Sequence, residues 1–321
     1  MYLIFDILIE CDMALPELQE SNDGSAYLHV KQGMPLNDQS VDWYHEWQDN
    51  NITHLRFGHL DDKHILEFPG LSCFTISLND MAIEYSASPD VPPESIRHLL
   101  LDQVIPRTLG QLGRLVLHAS AIRLTDGSGI AFLGESGWGK STLASSFIDS
   151  GAQLISDDCL LIEKNANKLT GTNSYQGVRL LNDSAKAIFP DQPETAPVAH
   201  YSDKRRLLLT SKDMPKLPAS TTLDALFLLT NPSENSADEP AQIEVVRGIE
   251  EMMSLIKQTF VLDPLDKKLI AKLFNILGDF LQTKITIYRI RYPHNHGRLQ
   301  DTQQAIKSKI STDTNLHLTT G

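Results

Sequence analysis

Short runs in which apolar and polar residues alternate open the chain: Leu3 to Glu10, Tyr27 to Val30, Ile52 to Phe57, Leu66 to Phe68, Cys73 to Ser77 and Met81 to Tyr85. Alternation of period two marks strands with one buried face, and the Asn79-Asp80 step predicts a hairpin joining the last two. The prolines of Ser88-Pro89-Asp90-Val91-Pro92-Pro93 break any regular element. A β-rich domain is therefore predicted over residues 1–92, with substrate recognition as a candidate role. Its Trp43, Tyr44 and Trp47 read either as core or as the lining of a peptide groove.

Beyond the prolines the period changes. Glu94 to Leu112 places Ile96, Leu99, Leu100 and Val104 on one helical stripe until Pro106 interrupts it. Leu115-Val116-Leu117, Gly129 to Leu133 and Gln153 to Ser156 read as buried strands, with a helix over Ser141 to Ile148 that Gly151 can end. Cys159 to Glu163 is expected to extend the same sheet. Thr222 to Leu229 and Lys284 to Arg291 predict further strands, and Met252 to Phe260 and Pro264 to Leu281 two helices. The proline- and acid-rich segments Phe189 to Ala199 and Asn231 to Ala241 read as surface loops. Strands alternating with helices place residues 93–300 in the α/β class. Residues 301–321 are expected to be a disordered tail.

One strand-to-helix junction carries a chemical signature. Gly134, Glu135, Ser136, Gly137, Trp138, Gly139, Lys140 and Ser141 fill the phosphate-loop pattern G-x-x-x-x-G-K-[ST] in full, followed by Thr142. Glycines let backbone N–H groups turn onto a phosphate at the positive end of the following helix. Lys140 would reach the β- and γ-phosphates of ATP, and Ser141 would ligate Mg²⁺. Asp157 and Asp158 follow the strand Gln153 to Ser156, at the carboxyl edge where α/β sheets bind ligands. One carboxylate suffices for Mg²⁺ and the other is free to act as a base, so Asp158 is expected at the metal and Asp157 as base. His118 closes the strand at Leu115 to Leu117; it is either a structural strand-end residue or one that orients phosphate. Lys204-Arg205-Arg206 precedes the apolar run Leu207-Leu208-Leu209 and reads as a solvated rim or as a clamp on the transferring group, with Arg205 or Arg206 the candidate.

His118, the loop Gly134 to Ser141 and the pair in Ile155-Ser156-Asp157-Asp158 resemble the core of the HPr kinase/phosphorylase superfamily, and more distantly phosphoenolpyruvate carboxykinase. The short interval between loop and acidic pair is a specific part of that likeness. The resemblance implies a P-loop kinase core behind a smaller β-rich amino-terminal domain, ATP and Mg²⁺ as cofactors, Asp157 as catalytic carboxylate, Asp158 at the metal and His118 in the active site. It covers roughly residues 100–295. Two features differ: Thr142 follows Gly139-Lys140-Ser141 where bifunctional members resemble GKSE, and Asn173 to Arg179 does not match their downstream glycine-rich segment. The opening Met1 to Asp6, the run Leu15-Pro16-Glu17-Leu18 and LVLHASAIRL are more similar to HPr-kinase-related proteins of peptide-modification systems, including lasso-peptide kinases. These imply a serine kinase acting on a peptide or small protein, assembled as a homo-oligomer. The apolar stripe Leu269, Leu273, Ile276, Leu277 and Phe280 reads as core or, by the same resemblance, as part of substrate engagement. A small-molecule hydroxyl kinase and a nucleotide-binding switch are the competing readings.

Composition narrows the partners. A formal net charge of −13 over 321 residues argues against nucleic acid and anionic membranes as partners, and favours a basic peptide through long-range steering. Cys11, Cys73 and Cys159 have no paired spacing, so neither disulfide nor zinc is indicated, and Asp6, Glu10 and Asp12 occupy the place where a signal peptide needs lysine or arginine. A cytoplasmic location is expected.

Overall fold

The computed structural model describes residues 1–321 except 149, 176, 190–193, 208–219, 236–238 and 320–321. It is a mixed α/β protein with several sheets. The amino-terminal strands β1 (Tyr2–Ile4), β2 (Ile7–Cys11), β3 (Gln19–Glu20), β4 (Leu28–Gln32), β5 (Asp42–Asp49), β6 (Ile52–Leu60), β7 (Lys63–Phe68), β8 (Ser72–Ser77) and β9 (Ala82–Ala87) form one sheet in the order β3-β1-β2-β4-β9-β8-β7-β6-β5. The run Leu3 to Glu10 is two strands rather than one, because Phe5 and Asp6 both take positive φ and fold it into a hairpin. Asn79-Asp80 lies in the turn between β8 and β9. Trp43, Tyr44 and Trp47 sit on the edge strand β5, where Trp47 is 57% exposed and so is not core.

The prolines do end the sheet, yet the core continues across them. Helix α1 (Pro93–Leu99), a π-helical turn at Leu100–Val104 and α2 (Ile105–Gln111) pack Ile96, Leu99, Leu100, Val104 and Leu109 into the same apolar cluster as Phe74, Ile76 and Ile83 of the sheet. Pro106 has no N–H for the carbonyl of Asp102, so the backbone widens locally. The Ile105 N–H reaches back to Leu100, and the Asp102 carbonyl accepts from Cys159 Sγ at 3.6 Å.

Two sheets follow, and the chain passes directly between them three times, at His118, at Asp157 to Cys159 and at Asp224. Strands β10 (Leu115–Leu117), β14 (Leu160–Asn165), β15 (Lys168–Asn173) and β19 (Ser220–Leu223) form a four-stranded sheet in that order. Strands β11 (Ala119–Arg123), β12 (Gly129–Leu133), β13 (Gln153–Ser156), β20 (Ala225–Leu229), β21 (Gln242–Val245) and β22 (Thr286–Arg291) form a six-stranded one, ordered β13-β11-β12-β20-β22-β21. The expectation that Cys159 to Glu163 would extend the sheet of β13 fails: β14 pairs with β10 and β15 instead. A small sheet of β16 (Val178–Leu180), β17 (Thr195–Pro197) and β18 (Arg205–Leu207) stands beside them.

Helices cover the six-stranded sheet. α3 (Lys140–Ser146), α4 (Asn182–Ile188) and α7 (Leu299–Thr319) border one apolar cluster, and α5 (Ile249–Ile256) and α6 (Lys267–Leu281) another. Leu269, Leu273, Leu277 and Phe280 of α6 are buried, while Ile276 is only partly so. The segment expected as a disordered tail is helical through Thr319: Ile306 and Ile310 are buried against Phe147, and the Gln303 side chain donates to the Ser146 carbonyl at 2.8 Å. Leu208 and Leu209, and the centres of the loops Phe189 to Ala199 and Asn231 to Ala241, lie outside the described residues. No helix among the described residues is long and apolar enough to cross a membrane.

Candidate functional site

His118 and the pair Asp157-Asp158 occupy two of the three seams between the sheets. His118 separates β10 from β11, and Asp157 to Cys159 separate β13 from β14. The seams are tied together by the Ala119 N–H, which donates to the Asp158 carbonyl at 3.2 Å. Asp158 takes a left-handed conformation, φ 64°, tolerated in Asp better than in most residues. Consecutive carboxylates thereby part company. Asp157 turns inward, 2% exposed, and accepts from Ser120 Oγ at 2.6 Å and from the Arg179 N–H at 3.0 Å. Asp158 faces a cleft of about 850 Å³ that it shares with His118, Ser136, Arg179 and Lys204.

Arg179 organises the cleft floor. Its guanidinium, 1% exposed, lies 2.5 Å from Asp102 Oδ2 and 2.7 Å from Asp158 Oδ2. Asp102 also accepts from the Tyr175 hydroxyl at 2.8 Å and lies 2.7 Å from His98 Nδ1. Burial, the largest single influence, would raise the Asp102 and Asp158 carboxyls, but it is outweighed by Arg179 acting together with His98 at Asp102 and with His118 and Lys204 at Asp158; Asp102 stays below the usual carboxylate range and Asp158 far below it. His118 Nε2 lies 3.7 Å from Asp158 Oδ1. Burial lowers its affinity for a proton more than Asp158 raises it, so the ring is held below the ordinary histidine value of 6.5 and is neutral at pH 7.

The glycine loop follows β12 directly and runs into α3, which begins at Lys140. Gly134, Gly137 and Gly139 all have positive φ, at 155°, 84° and 91°. At Gly139 a side chain is doubly excluded, because a Cβ would lie 2.2 Å from the Tyr292 hydroxyl. A Cβ on Gly137 would meet nothing within 4 Å, so the loop tip is open, with Glu135 and Ser136 exposed. Lys140 Nζ donates to the carbonyls of Gly134 at 2.8 Å and Glu135 at 3.0 Å. Burial pushes its pKa down to about 8 despite the pull of Asp158. Trp138 is partly buried; its carbonyl accepts from Tyr292 at 3.3 Å. Thr142 turns to Ser184 at 3.4 Å, away from the cleft.

The two arginines expected as a clamp are occupied elsewhere. Arg205 donates to Thr195, through Nε to the side chain at 2.7 Å and through a terminal nitrogen to the carbonyl at 3.2 Å. Arg206 donates to Glu17 at 2.7 Å, an acid that also accepts from Arg97 at 2.9 Å. Their neighbour Lys204 lines the cleft in their place. Sequence reasoning missed Arg179 and Asp102. Each left a signal: a charged residue inside an apolar run, Val178-Arg179-Leu180 and Leu100-Leu101-Asp102, needs a partner once buried.

The donors suit a nucleotide with a hard cation. Ser141 and Asp158 offer oxygen, the ligand type Mg²⁺ prefers. Among the described residues no group of three or more His, Cys, Asp or Glu could hold a metal by itself. An ion here would therefore share its coordination with phosphate and water, as Mg²⁺ does at triphosphates.

No family model matches the chain, and no curated protein matches it. Among solved structures 63 chains match. One is the HPr(Ser) kinase/phosphatase from Coxiella burnetii, 16% identical with a TM-score of 0.32, the match covering 62% of this chain and 98% of that one. A TM-score of 0.32 leaves family and activity to be argued from the residues themselves.

Proposed function

We propose that the protein is an ATP- and Mg²⁺-dependent kinase that phosphorylates a serine hydroxyl of a peptide or small protein. The observation that carries this reading is the convergence of a complete glycine-lysine loop, through Ser136, on the cleft lined by His118, Asp158, Arg179 and Lys204.

The acceptor oxygen forms its bond to the γ-phosphorus as the bond to the β-phosphate oxygen breaks, giving phosphoserine and ADP. The proton leaves the hydroxyl for the His118–Asp158 pair: neutral His118 accepts it, and Asp158 at 3.7 Å stabilises the imidazolium. This assignment replaces Asp157 as base, because Asp157 is committed to Ser120 and Arg179 and positions the seam. Lys140 and Lys204 meet the phosphates as cations, while Arg179 holds Asp158 ionised. Ser141 and Asp158 would hold Mg²⁺, which when bound neutralises charge on the β- and γ-oxygens. The expected homo-oligomer and cytoplasmic setting belong to the same reading.

Mass spectrometry of serine peptides incubated with ATP and Mg²⁺ tests it. One phosphoryl unit gained on serine is expected, lost in both His118→Asn and Asp158→Asn while nucleotide binding persists. Undiminished transfer by the two variants would remove these residues from the mechanism, and ATP hydrolysis with no modified acceptor would leave only a nucleotide switch.

A further inference from the structure

The charge of the cleft opposes that of the molecule. The chain carries a net −13, yet the charged side chains lining the cleft are Asp102 and Asp158 against Arg107, Arg179 and Lys204. Both acids are already ion-paired with Arg179. The five charges sum to +1. With Lys204 beside Asp158 assigned to phosphate, one cation has no carboxylate partner among the described residues.

That cation is Arg107, on α2. It lies 5.2 Å above the Phe260 ring, whose other neighbour is the His118 ring at 6.1 Å, so it stands one aromatic ring from the proton acceptor. Among the described residues only its Nη1 is hydrogen-bonded, to the Gln103 carbonyl at 3.1 Å and side-chain oxygen at 2.6 Å, and none of their carboxylates forms an ion pair with it. Desolvation weakens the charged form, bringing the guanidinium down to about 10. A desolvated cation without a counter-ion is costly unless a ligand supplies one. Past Arg107 the cleft runs along β5 and β6 to His45, Trp47 and His54, all three exposed, so this end is an open groove rather than a closed pocket.

We propose that this outer half of the cleft binds an acidic stretch of the acceptor peptide, with Arg107 pairing with a carboxylate close to the acceptor serine. The inference rests on the kinase reading for the word acceptor, and it reverses the basic partner that net charge alone favours. A local uncompensated cation decides which side chain settles beside it, whereas the overall field acts mainly on encounter.

The test uses the full chain and labelled synthetic peptides with a central serine flanked by aspartates, alanines or lysines, titrated with and without a nonhydrolysable ATP analogue and assayed in parallel for phosphate gain. The aspartate peptide is expected to bind about tenfold more tightly than the lysine peptide. Arg107→Gln should remove most of that preference and Arg107→Glu should reverse it, with affinity for the ATP analogue kept. Because the comparison of peptides on the unaltered protein needs no variant, it stands even if both substitutions unfold the chain. Equal binding of the three peptides, a preference for lysine, a matching loss of ATP-analogue affinity in Arg107→Gln, or phosphorylation of a small hydroxy acid with no peptide bound would each overturn the proposal. Acidic-peptide binding without phosphate gain refutes the kinase reading alone; phosphate gain indifferent to flanking charge refutes this inference alone.

Discussion

A guanidinium 1% exposed persists only where its charge is met, and Arg179 is met on two sides, by Asp102 and Asp158. Removing one partner leaves part of that charge uncompensated in the interior. Asp102→Asn is therefore expected to lower stability by about 3 kcal/mol, read from urea unfolding. A loss under about 1 kcal/mol would mean that water or His98 replaces the carboxylate. Lys140 gives a second test at this scale. Its ammonium has a pKa of about 8, so raising the pH through that value removes the charge that attracts a triphosphate, and affinity must fall rather than rise. The dissociation constant of a nonhydrolysable ATP analogue should increase about tenfold between about pH 7 and about pH 9. The roles of Lys140 and Ser141 follow from the motif because their spacing is local. Arg179 and Asp102 are 77 positions apart, and no local pattern announces a pairing across that distance.

Among the elements, the loop between β12 and α3 is fixed by backbone conformation. Gly139 combines φ 91° with a Tyr292 hydroxyl 2.2 Å from any added Cβ, so Gly139→Ala must displace either the loop or the buried Tyr292 side chain. Nucleotide binding is expected to be lost, about a hundredfold or more by titration, with the far-ultraviolet spectrum unchanged. Gly137→Ala meets strain in φ but no contact and should do less harm. The strand β12 was legible because Ile130 to Leu133 is a compact apolar run, and β22 because Ile287, Tyr288 and Ile290 are β-branched or aromatic residues set among polar ones. The assignment of β13 and β14 to different sheets was not: both runs are apolar, and hydrophobicity says that a strand is buried without saying against which neighbour.

For the whole molecule, the amino-terminal sheet and the helices after the prolines share one apolar cluster, which also takes in Val116, Leu161, Phe260 and Leu262. Removal of residues 1–92 would uncover Leu100, Leu101 and Val104, all fully buried. The fragment 93–321 is therefore expected to be poorly soluble and to melt without a cooperative transition by circular dichroism; a sharp melt near that of the full chain would show two independent cores. The same continuity brings the edge strand β5 to the mouth of the cleft. By itself the sequence determined the strand-loop-helix at Gly134 to Lys140, the alternation of the first sheet and the burial of α6, because each depends on residues near one another in the chain. Tertiary structure alone decided which aspartate faces the cleft, which basic residue replaces Arg205 and Arg206 there, and that the last segment is a packed helix. Those outcomes turn on a left-handed φ at Asp158, the ion pair that holds Arg206 on distant Glu17, and apolar contacts of Ile306 and Ile310 with residues far back in the chain.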